Sequence, residues 1–82
     1  MTVAVLMTKP VTIETEIAAD CPVQDAFVAI SKYDGNLLNF IAIRPGSGNP
    51  CVTIRFPAMF LACSYLNEVG VDPENMDMHI ID

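Results

Sequence analysis

The chain has 82 residues, of which 52% are hydrophobic and 17% are charged, with ten acidic side chains and four basic ones. This length leaves room for one domain, residues 1–82, and the high apolar content excludes a disordered chain. The net charge of −6, with four scattered bases, argues against direct binding of nucleic acid, which requires clustered lysine and arginine.

Neither a membrane span nor a secretory signal is expected. The longest stretch without a charged side chain, residues 56–67, has 12 residues, whereas a spanning helix needs about 20. The apolar residues 3–7 have no basic residue before them, so we expect a cytoplasmic protein. The three cysteines form no Cys-x-x-Cys pair and are expected to be reduced thiols.

The first two predicted elements are strands. Residues 2–8 are apolar on both faces, and Lys9-Pro10 interrupts them. Residues 11–17 alternate between apolar and polar side chains, which predicts a half-buried strand. Glu14 and Glu16 are on its polar face. The apolar face contains Val11, Ile13 and Ile17.

A helix is predicted next. In Asp20-Cys21-Pro22, aspartate can cap free backbone amides and proline tolerates the first turn. Gly35 is predicted to end the helix in the left-handed conformation. The apolar stripe has the helical spacing and consists of Val23, Ala26, Phe27 and Ile30.

Residues 37–44 and 51–56 are predicted to form a hairpin around a loop of Pro, Gly, Ser and Asn. A second helix should begin at Pro57 and end at Gly70. Cys63 is on its apolar stripe, whereas Phe60 aligns with Ser64 on the polar side and is expected to be exposed. The alternating residues 76–80 predict a last strand.

The last six predicted elements follow the split βαβ order called ferredoxin-like. We therefore predict an α+β fold in which two helices cover one face of an antiparallel or mixed sheet of four to five strands, with an extra N-terminal strand. The opposite face of the sheet would present four polar side chains to solvent or to a partner. These are Glu14, Glu16, Asp77 and His79.

No catalytic residue, metal site or cofactor is predicted. The acids around residue 72 lack the central Gly and the acid spacing of an EF-hand loop. A cysteine nucleophile activated by His79 is disfavoured, because Cys63 is on an apolar stripe and Cys51 begins a strand. The glycines near residue 47 lack the Lys-Ser/Thr of a phosphate-binding loop.

One family resemblance concerns Asp20-Cys21-Pro22 after a strand and Gly35-Asn36-Leu37-Leu38 after a helix. Over residues 11–70 the chain resembles an ACT domain, a ferredoxin-like module that binds small ligands. The resemblance implies a regulatory domain with a small molecule at a homodimer interface. The family has a glycine directly after the proline, where backbone approaches a bound amino acid, and here Val23 occupies that position.

The leading functional expectation is a non-enzymatic module that docks on a protein with a basic surface. Residues 56–82 contain five acids and no base, a field that attracts such a partner. Small acidic chains of this kind are similar in character to phage and mobile-element inhibitors, such as anti-CRISPR proteins, that block basic nucleic-acid-binding proteins. The ACT-like ligand-binding domain is the alternative.

Two sets of residues carry this expectation. A mean hydropathy of +0.43 is high for a short chain and indicates an apolar contact surface or a homodimer. Self-association is assigned to the apolar first strand, through Val3, Val5 and Met7. Partner binding is assigned to Phe60, Glu68, Asp72, Glu74, Asp77, His79, Glu14 and Glu16.

Overall fold

The computed structural model describes residues 9–70 and the backbone of residues 79 and 80. It contains two helices, α1 (Val23–Lys32) and α2 (Met59–Glu68). The strands are β1 (Val11–Glu16), β2 (Asn36–Ile41), β3 (Cys51–Phe56) and the two-residue β4 (His79–Ile80). The strand predicted at residues 2–8 and the first part of the one predicted at 76–80 lie outside the described residues.

The chain forms a small α+β domain around a three-stranded antiparallel sheet in which β3 is the middle strand. β2 pairs with one side of β3, and β1 pairs with the other. β4 adds a short antiparallel ladder to the far edge of β1, so the order is β2-β3-β1-β4. The β2–β3 ladder shifts register between Leu37 and Asn39, which leaves Leu38 at a bulge. The predicted hairpin is thus confirmed, with β2 ending at Ile41 rather than at residue 44.

The hydrophobic core lies between one face of the sheet and the two helices. The apolar face predicted for β1 is buried there, as are the facing residues of β3. Alternation at a period of two places these side chains on one face, because successive strand residues point to opposite sides. The central residues of the core are Val11, Ile13, Ile17, Val52, Ile54, Phe56, Ala26, Ala29, Ile30, Ala62, Tyr65 and Leu66.

The start of α1 differs from the prediction. Pro22 is the N-cap residue and no side chain caps the helix, so Asp20 lies outside it. The Cys21 N–H instead donates to the Ala18 carbonyl at 3.0 Å in a turn before the helix. Asp25 takes the acidic position in the first turn, where a negative charge interacts favourably with the helix dipole.

The end of α1 also differs, by one residue. The left-handed residue is Asp34, with φ of 60°, and not Gly35. The Asp34 N–H donates to the Ser31 carbonyl and the Gly35 N–H to the Ile30 carbonyl, which is the Schellman pattern. Glycine is needed at 35 for space, because an added Cβ would come within 2.8 Å of Phe56 and 2.9 Å of Ile30.

The predicted end of α2 is confirmed, since Gly70 follows the helix with φ of +79°. Its predicted apolar stripe is correct for Ala62 and Leu66, which are buried, but wrong for Cys63, which is exposed. The sheet and α1 contact only part of the helix surface, and Tyr65 belongs to the buried core whereas Cys63 does not. Both helices have ten residues, and none in the described part of the chain is long and apolar enough to cross a bilayer.

Candidate functional site

Three acidic side chains line a cleft of about 480 Å³ between the start of α1 and the end of α2. Asp20 and Asp25 come from the turn before α1 and from its first turn, and Glu68 is the last residue of α2. Ala29 lies at the buried side of the cleft and Val28, which is 62% exposed, lies at its rim. We call this feature the acidic cleft. Its remaining lining residues are Cys21, Pro22, Val69 and Gly70.

Glu68 is held in place by two groups at the end of α1. Lys32 Nζ donates to Glu68 Oε1 at 2.8 Å, and the Tyr33 hydroxyl donates to the same oxygen at 2.7 Å. The hydrogen bond from Lys32, followed by that from Tyr33, lowers the pKa of Glu68, and the same contact raises the pKa of Lys32. Glu68 therefore stays ionised, but Lys32 offsets its charge. Among the described residues, Asp20 and Asp25 have no such ion pair.

Cys21 is the thiol in the acidic cleft. Burial raises its pKa, and the charges of Asp25 and Asp20 raise it further. Burial also raises the pKa of Cys51, which is buried on the other face of the sheet. Both thiols are therefore held in the protonated form at neutral pH, which does not favour nucleophilic attack or metal binding. Within residues 9–70, no group of three or more His, Cys, Asp and Glu side chains could hold a metal ion.

Glu16 was predicted to be exposed on the polar face of the sheet, and this is wrong, since its side chain is only 6% exposed. The loop between β2 and β3 folds over it. Arg44 Nη1 donates to Glu16 Oε2 at 3.1 Å, and Asn49 Nδ2 donates to Oε1 at 3.2 Å. Hydrogen bonds from Ser47 and Asn49, with a further contribution from Arg44, lower the pKa of Glu16. Glu16 fixes the hairpin loop and is not available to a partner.

Glu14 is half-buried on the polar face of the sheet and lies opposite residue 79 in the β1–β4 register. The predicted neighbourhood of Glu14 and His79 on one face is therefore supported by the backbone pairing. Phe60 is 50% exposed at the start of α2, as its position on the helix predicted, and the Ser64 hydroxyl donates to its carbonyl at 2.9 Å. It does not line the acidic cleft.

The other predicted site residues cannot be placed against the acidic cleft. Six of them lie outside the described residues, and the strand at His79 is described only through its backbone. The predictions made for them stand as predictions. The six are Val3, Val5 and Met7 in the self-association set, and Asp72, Glu74 and Asp77 in the partner-binding set.

Sequence reasoning missed an apolar surface around β2. All six residues of β2 are exposed, and the Phe40 ring meets the Phe27 ring of α1 edge-on at a centroid distance of 5.3 Å. Ile43, just after the strand, is 72% exposed. The signal was present, because residues 36–43 contain no charged side chain. We call this the β2 surface, formed by Phe27, Leu37, Leu38, Phe40, Ile41 and Ile43.

No known protein family, curated protein or solved structure matches the chain.

Proposed function

We propose that the chain is a non-enzymatic protein-binding module that docks on a partner with a basic surface. The observation that carries this proposal is the acidic cleft, where Asp20 and Asp25 flank a concave surface between the two helices. A basic side chain of a partner fits this charge and shape. Val28 at the rim adds apolar contact area beside the charges.

The charge distribution supports the same kind of partner. The chain has a net charge of −6, so its long-range field attracts basic proteins and speeds their encounter. Glu68 contributes less to this attraction than a free carboxylate would, since its ion pair with Lys32 offsets its charge. Exposed Phe60 supplies an aromatic contact outside the cleft, and the acids at 72, 74 and 77, with His79, extend the proposed contact surface in sequence.

The proposal is tested by capture from a lysate of the source cells on the immobilised chain, with bound proteins eluted by salt. A double variant, Asp20→Asn with Asp25→Asn, removes the two unpaired acids of the cleft. The matched control, Asp34→Asn with Asp82→Asn, changes the net charge equally at acids that are assigned to neither the cleft nor the partner-binding set. We expect at least tenfold less capture of a basic protein by the cleft variant and nearly unchanged capture by the control. Equal losses would show that net charge alone acts, and no loss would reject the cleft.

We further propose that the partner is a nucleic-acid-binding host protein and that docking inhibits it, as phage and anti-CRISPR-like inhibitors do. The small size and acidic composition of the chain support this part. Addition of the purified chain to the captured partner should reduce the partner's nucleic-acid binding in a mobility-shift assay. Binding without any such reduction would leave a docking module that is not an inhibitor.

The proposed fold of the complete chain is ferredoxin-like, with four full strands and an extra N-terminal strand. The strand order and the short β4 ladder on β1 support it. Nuclear Overhauser contacts between Thr15 and Met78 would extend that ladder towards a full strand, and their absence would contradict a fourth full strand.

A small-molecule-binding regulatory domain is the second candidate, favoured by the volume and position of the acidic cleft. Ligand pockets typically enclose about 300 to 1,000 Å³, and this cleft lies at the Asp20-Cys21-Pro22 turn on which the ACT resemblance rests. Its acids favour a ligand with a cationic amine. Thermal shift against amino acids and polyamines tests this candidate, because a ligand at 100 times its Kd stabilises by about 2.7 kcal/mol. No shift across the panel would reject it.

A further inference from the structure

One edge of the sheet is open in the described part of the chain, and it belongs to β2. β2 pairs with β3 on one side, and no described strand lies on its other side. In an antiparallel edge strand, alternate backbone N–H and C=O groups point away from the sheet and can pair with a further strand. This edge therefore fits an extended segment of polypeptide.

The side chains beside this edge are apolar and exposed. All six residues of β2 are exposed, and Leu37 and Phe27 line a groove of about 190 Å³ between β2 and α1. Edges are commonly protected by lysine, proline or inward-pointing charges, and residues 36–43 contain none of these. The segment that covers the edge should therefore carry apolar side chains.

The chain enters the described part of the structure at the end of the sheet where β2 begins. β1 and β2 are both antiparallel to β3, so they start at the same end. A hollow of about 220 Å³ at this end is lined by Pro10, just before β1, and by Asn36, the first residue of β2. Residues 1–8 are thus attached close to the start of the open strand.

The length of this N-terminal segment fits the open edge. Neighbouring strands lie about 4.8 Å apart, so a strand outside β2 is about 14 Å from β1. Five extended residues cover about 17 Å. The chain can therefore cross from Val11 back to residue 6, and residues 2–6 are left to pair with the six-residue β2.

The direction of the segment also favours β2. Residue 6 would lie near the start of β2 and residue 2 near its end, so the segment would run antiparallel to the strand. The opposite edge of the described sheet is β4, which is antiparallel to β1 and has two residues. The same segment would run parallel to β4, and parallel pairing is slightly less stable per residue.

The side chains of the segment suit the β2 surface. Residues 2–6 are Thr-Val-Ala-Val-Leu and carry no charge. Because successive strand residues point to opposite faces, Val3 and Val5 share one face, and residues 4 and 6 share the other. Either register therefore brings apolar side chains beside α1, and no charge repulsion opposes the contact.

We propose that residues 2–6 pair antiparallel with the outer edge of β2 in the same chain. The segment covers the β2 surface, places alternate side chains beside the Phe27 and Phe40 rings, and closes the edge to other strands. Val3 and Val5 then act within one chain rather than between two copies. The acidic cleft lies elsewhere, between the start of α1 and the end of α2, so the inference is independent of the proposed function.

Amide hydrogen exchange of the full chain, followed by NMR over a wide range of concentration, tests the pairing. We expect the outward amides of Asn39 to Ile41 to be equally protected at every concentration, because the covering strand belongs to the same molecule. A double variant, Ala4→Pro with Val5→Pro, removes an amide donor facing β2 in either register, since successive amides point to opposite sides. It should speed the exchange of those β2 amides about tenfold.

The matched control, Thr8→Pro with Lys9→Pro, places the same two prolines in the crossing, where the chain stays extended. It should leave the exchange of the β2 amides unchanged. Equal rates in the wild-type chain and in the variant at residues 4 and 5 would overturn the inference, as would equal acceleration by the control. Protection that rises with concentration would also overturn it, because a second copy would then cover the edge.

Nuclear Overhauser contacts in the wild-type chain provide a readout that does not depend on the variants folding. In an equal mixture of labelled and unlabelled chains, contacts between residues 2–6 and 37–41 should arise within the labelled molecules. Their absence, or contacts only between labelled and unlabelled molecules, would overturn the inference. Neither result would alter the capture experiment on the acidic cleft.

Discussion

Tyr65 is the largest fully buried side chain among residues 9–70, and its ring lies 5.6 Å from that of Phe56. No described residue forms a hydrogen bond with its hydroxyl. Burial raises the pKa of Tyr65 to about 12. A buried hydroxyl without a partner costs about 1 to 3 kcal/mol of desolvation. Within the described residues, the ring of Tyr65 therefore contributes contacts to the fold and its hydroxyl contributes no hydrogen bond.

Tyr65→Phe should therefore keep the packing and remove the cost. We expect the free energy of unfolding to rise by about 1 kcal/mol, measured by urea denaturation at pH 7. Tyr33→Phe is the control. It should lower the free energy of unfolding, because the Tyr33 hydroxyl donates a hydrogen bond to Glu68. A clear loss of stability in Tyr65→Phe would mean that the hydroxyl has a partner after all.

The same residue predicts an alkaline dependence of stability. Its pKa in the folded chain, about 12, is above the ordinary value of 10.0. The unfolded chain thus loses the proton first, and stability falls as pH rises from about 10 towards 12. Tyr65→Phe should show a smaller decrease between pH 9 and 11 in the same denaturation series. Identical slopes for the two proteins would contradict the assignment.

Gly35 lies where the core leaves no room for a side chain. A methyl group at this position would overlap Phe56, Ile30 and Ile54 at distances below 3.0 Å. Gly35→Ala should cost about 1 to 3 kcal/mol, the usual range for overpacking a core. Asp34→Gly, at the left-handed position one residue earlier, should instead be nearly neutral. Thermal unfolding of both variants measures the contrast, and similar losses would show that conformation rather than space is limiting.

At the scale of elements, the β2–β3 hairpin is closed by its own loop and by β1. The Arg44 N–H donates to the Asn49 carbonyl at 2.9 Å, and the Ile17 N–H donates to the Pro50 carbonyl at 2.8 Å. Glu16 joins the two sides through Arg44 and Asn49. The loop at the end of β2 is thereby connected to β1, which lies two positions away from β2 in the sheet.

The hydrogen bonds of Glu16 predict that the free energy of unfolding decreases in acid. Because the pKa of Glu16 is below its ordinary value of 4.5, its stabilising effect is complete above that value and is lost as pH falls through the lower folded pKa. Glu16→Gln should reduce stability by about 1 kcal/mol at pH 7 and show a flatter decline below pH 4.5. Chemical denaturation at pH 7, 4.5 and 3 measures it. A parallel decline in both proteins would assign the acid sensitivity to other carboxylates.

The periodicity of the sequence predicted where the strands and helices lie better than it predicted which of their side chains are buried. Alternation identified the buried side of β1, and β3 was predicted with its observed bounds. It could not show that Glu16 is covered, because the covering residues are about 30 positions away in a loop. Nor could it tell which side of α2 faces the sheet, and this is why Cys63 was assigned to the core.

At the scale of the whole molecule, charge is unevenly placed. The chain has ten acids and four bases, and three of the acids line the cleft between α1 and α2. The sequence showed the excess of acid and its unequal division along the chain. The acidic cleft itself was missed, apart from Glu68, since Asp20 and Asp25 approach α2 only through the fold. The β2 surface was missed because strand order decides which strand is at an edge.

The acidic cleft should lose its partner as the salt concentration rises, because screening weakens the attraction between its acids and a basic partner. Raising NaCl from 50 to 500 mM should lower partner capture by the wild-type chain, and should lower it less in the variant that combines Asp20→Asn with Asp25→Asn. Capture at both salt concentrations measures the effect. Capture that does not depend on salt would contradict an electrostatic contact.

The loop between β2 and β3 has a practical consequence for labelling. Its ends are fastened at Arg44 and Asn49, whereas Gly46 and Gly48 have open space around them and positive φ angles. Exposed, tethered loop tips are the positions where inserted sequence is tolerated best. An affinity peptide inserted beside Gly46, with both glycines kept, would therefore report on the molecule from a site belonging to neither the acidic cleft nor the β2 surface.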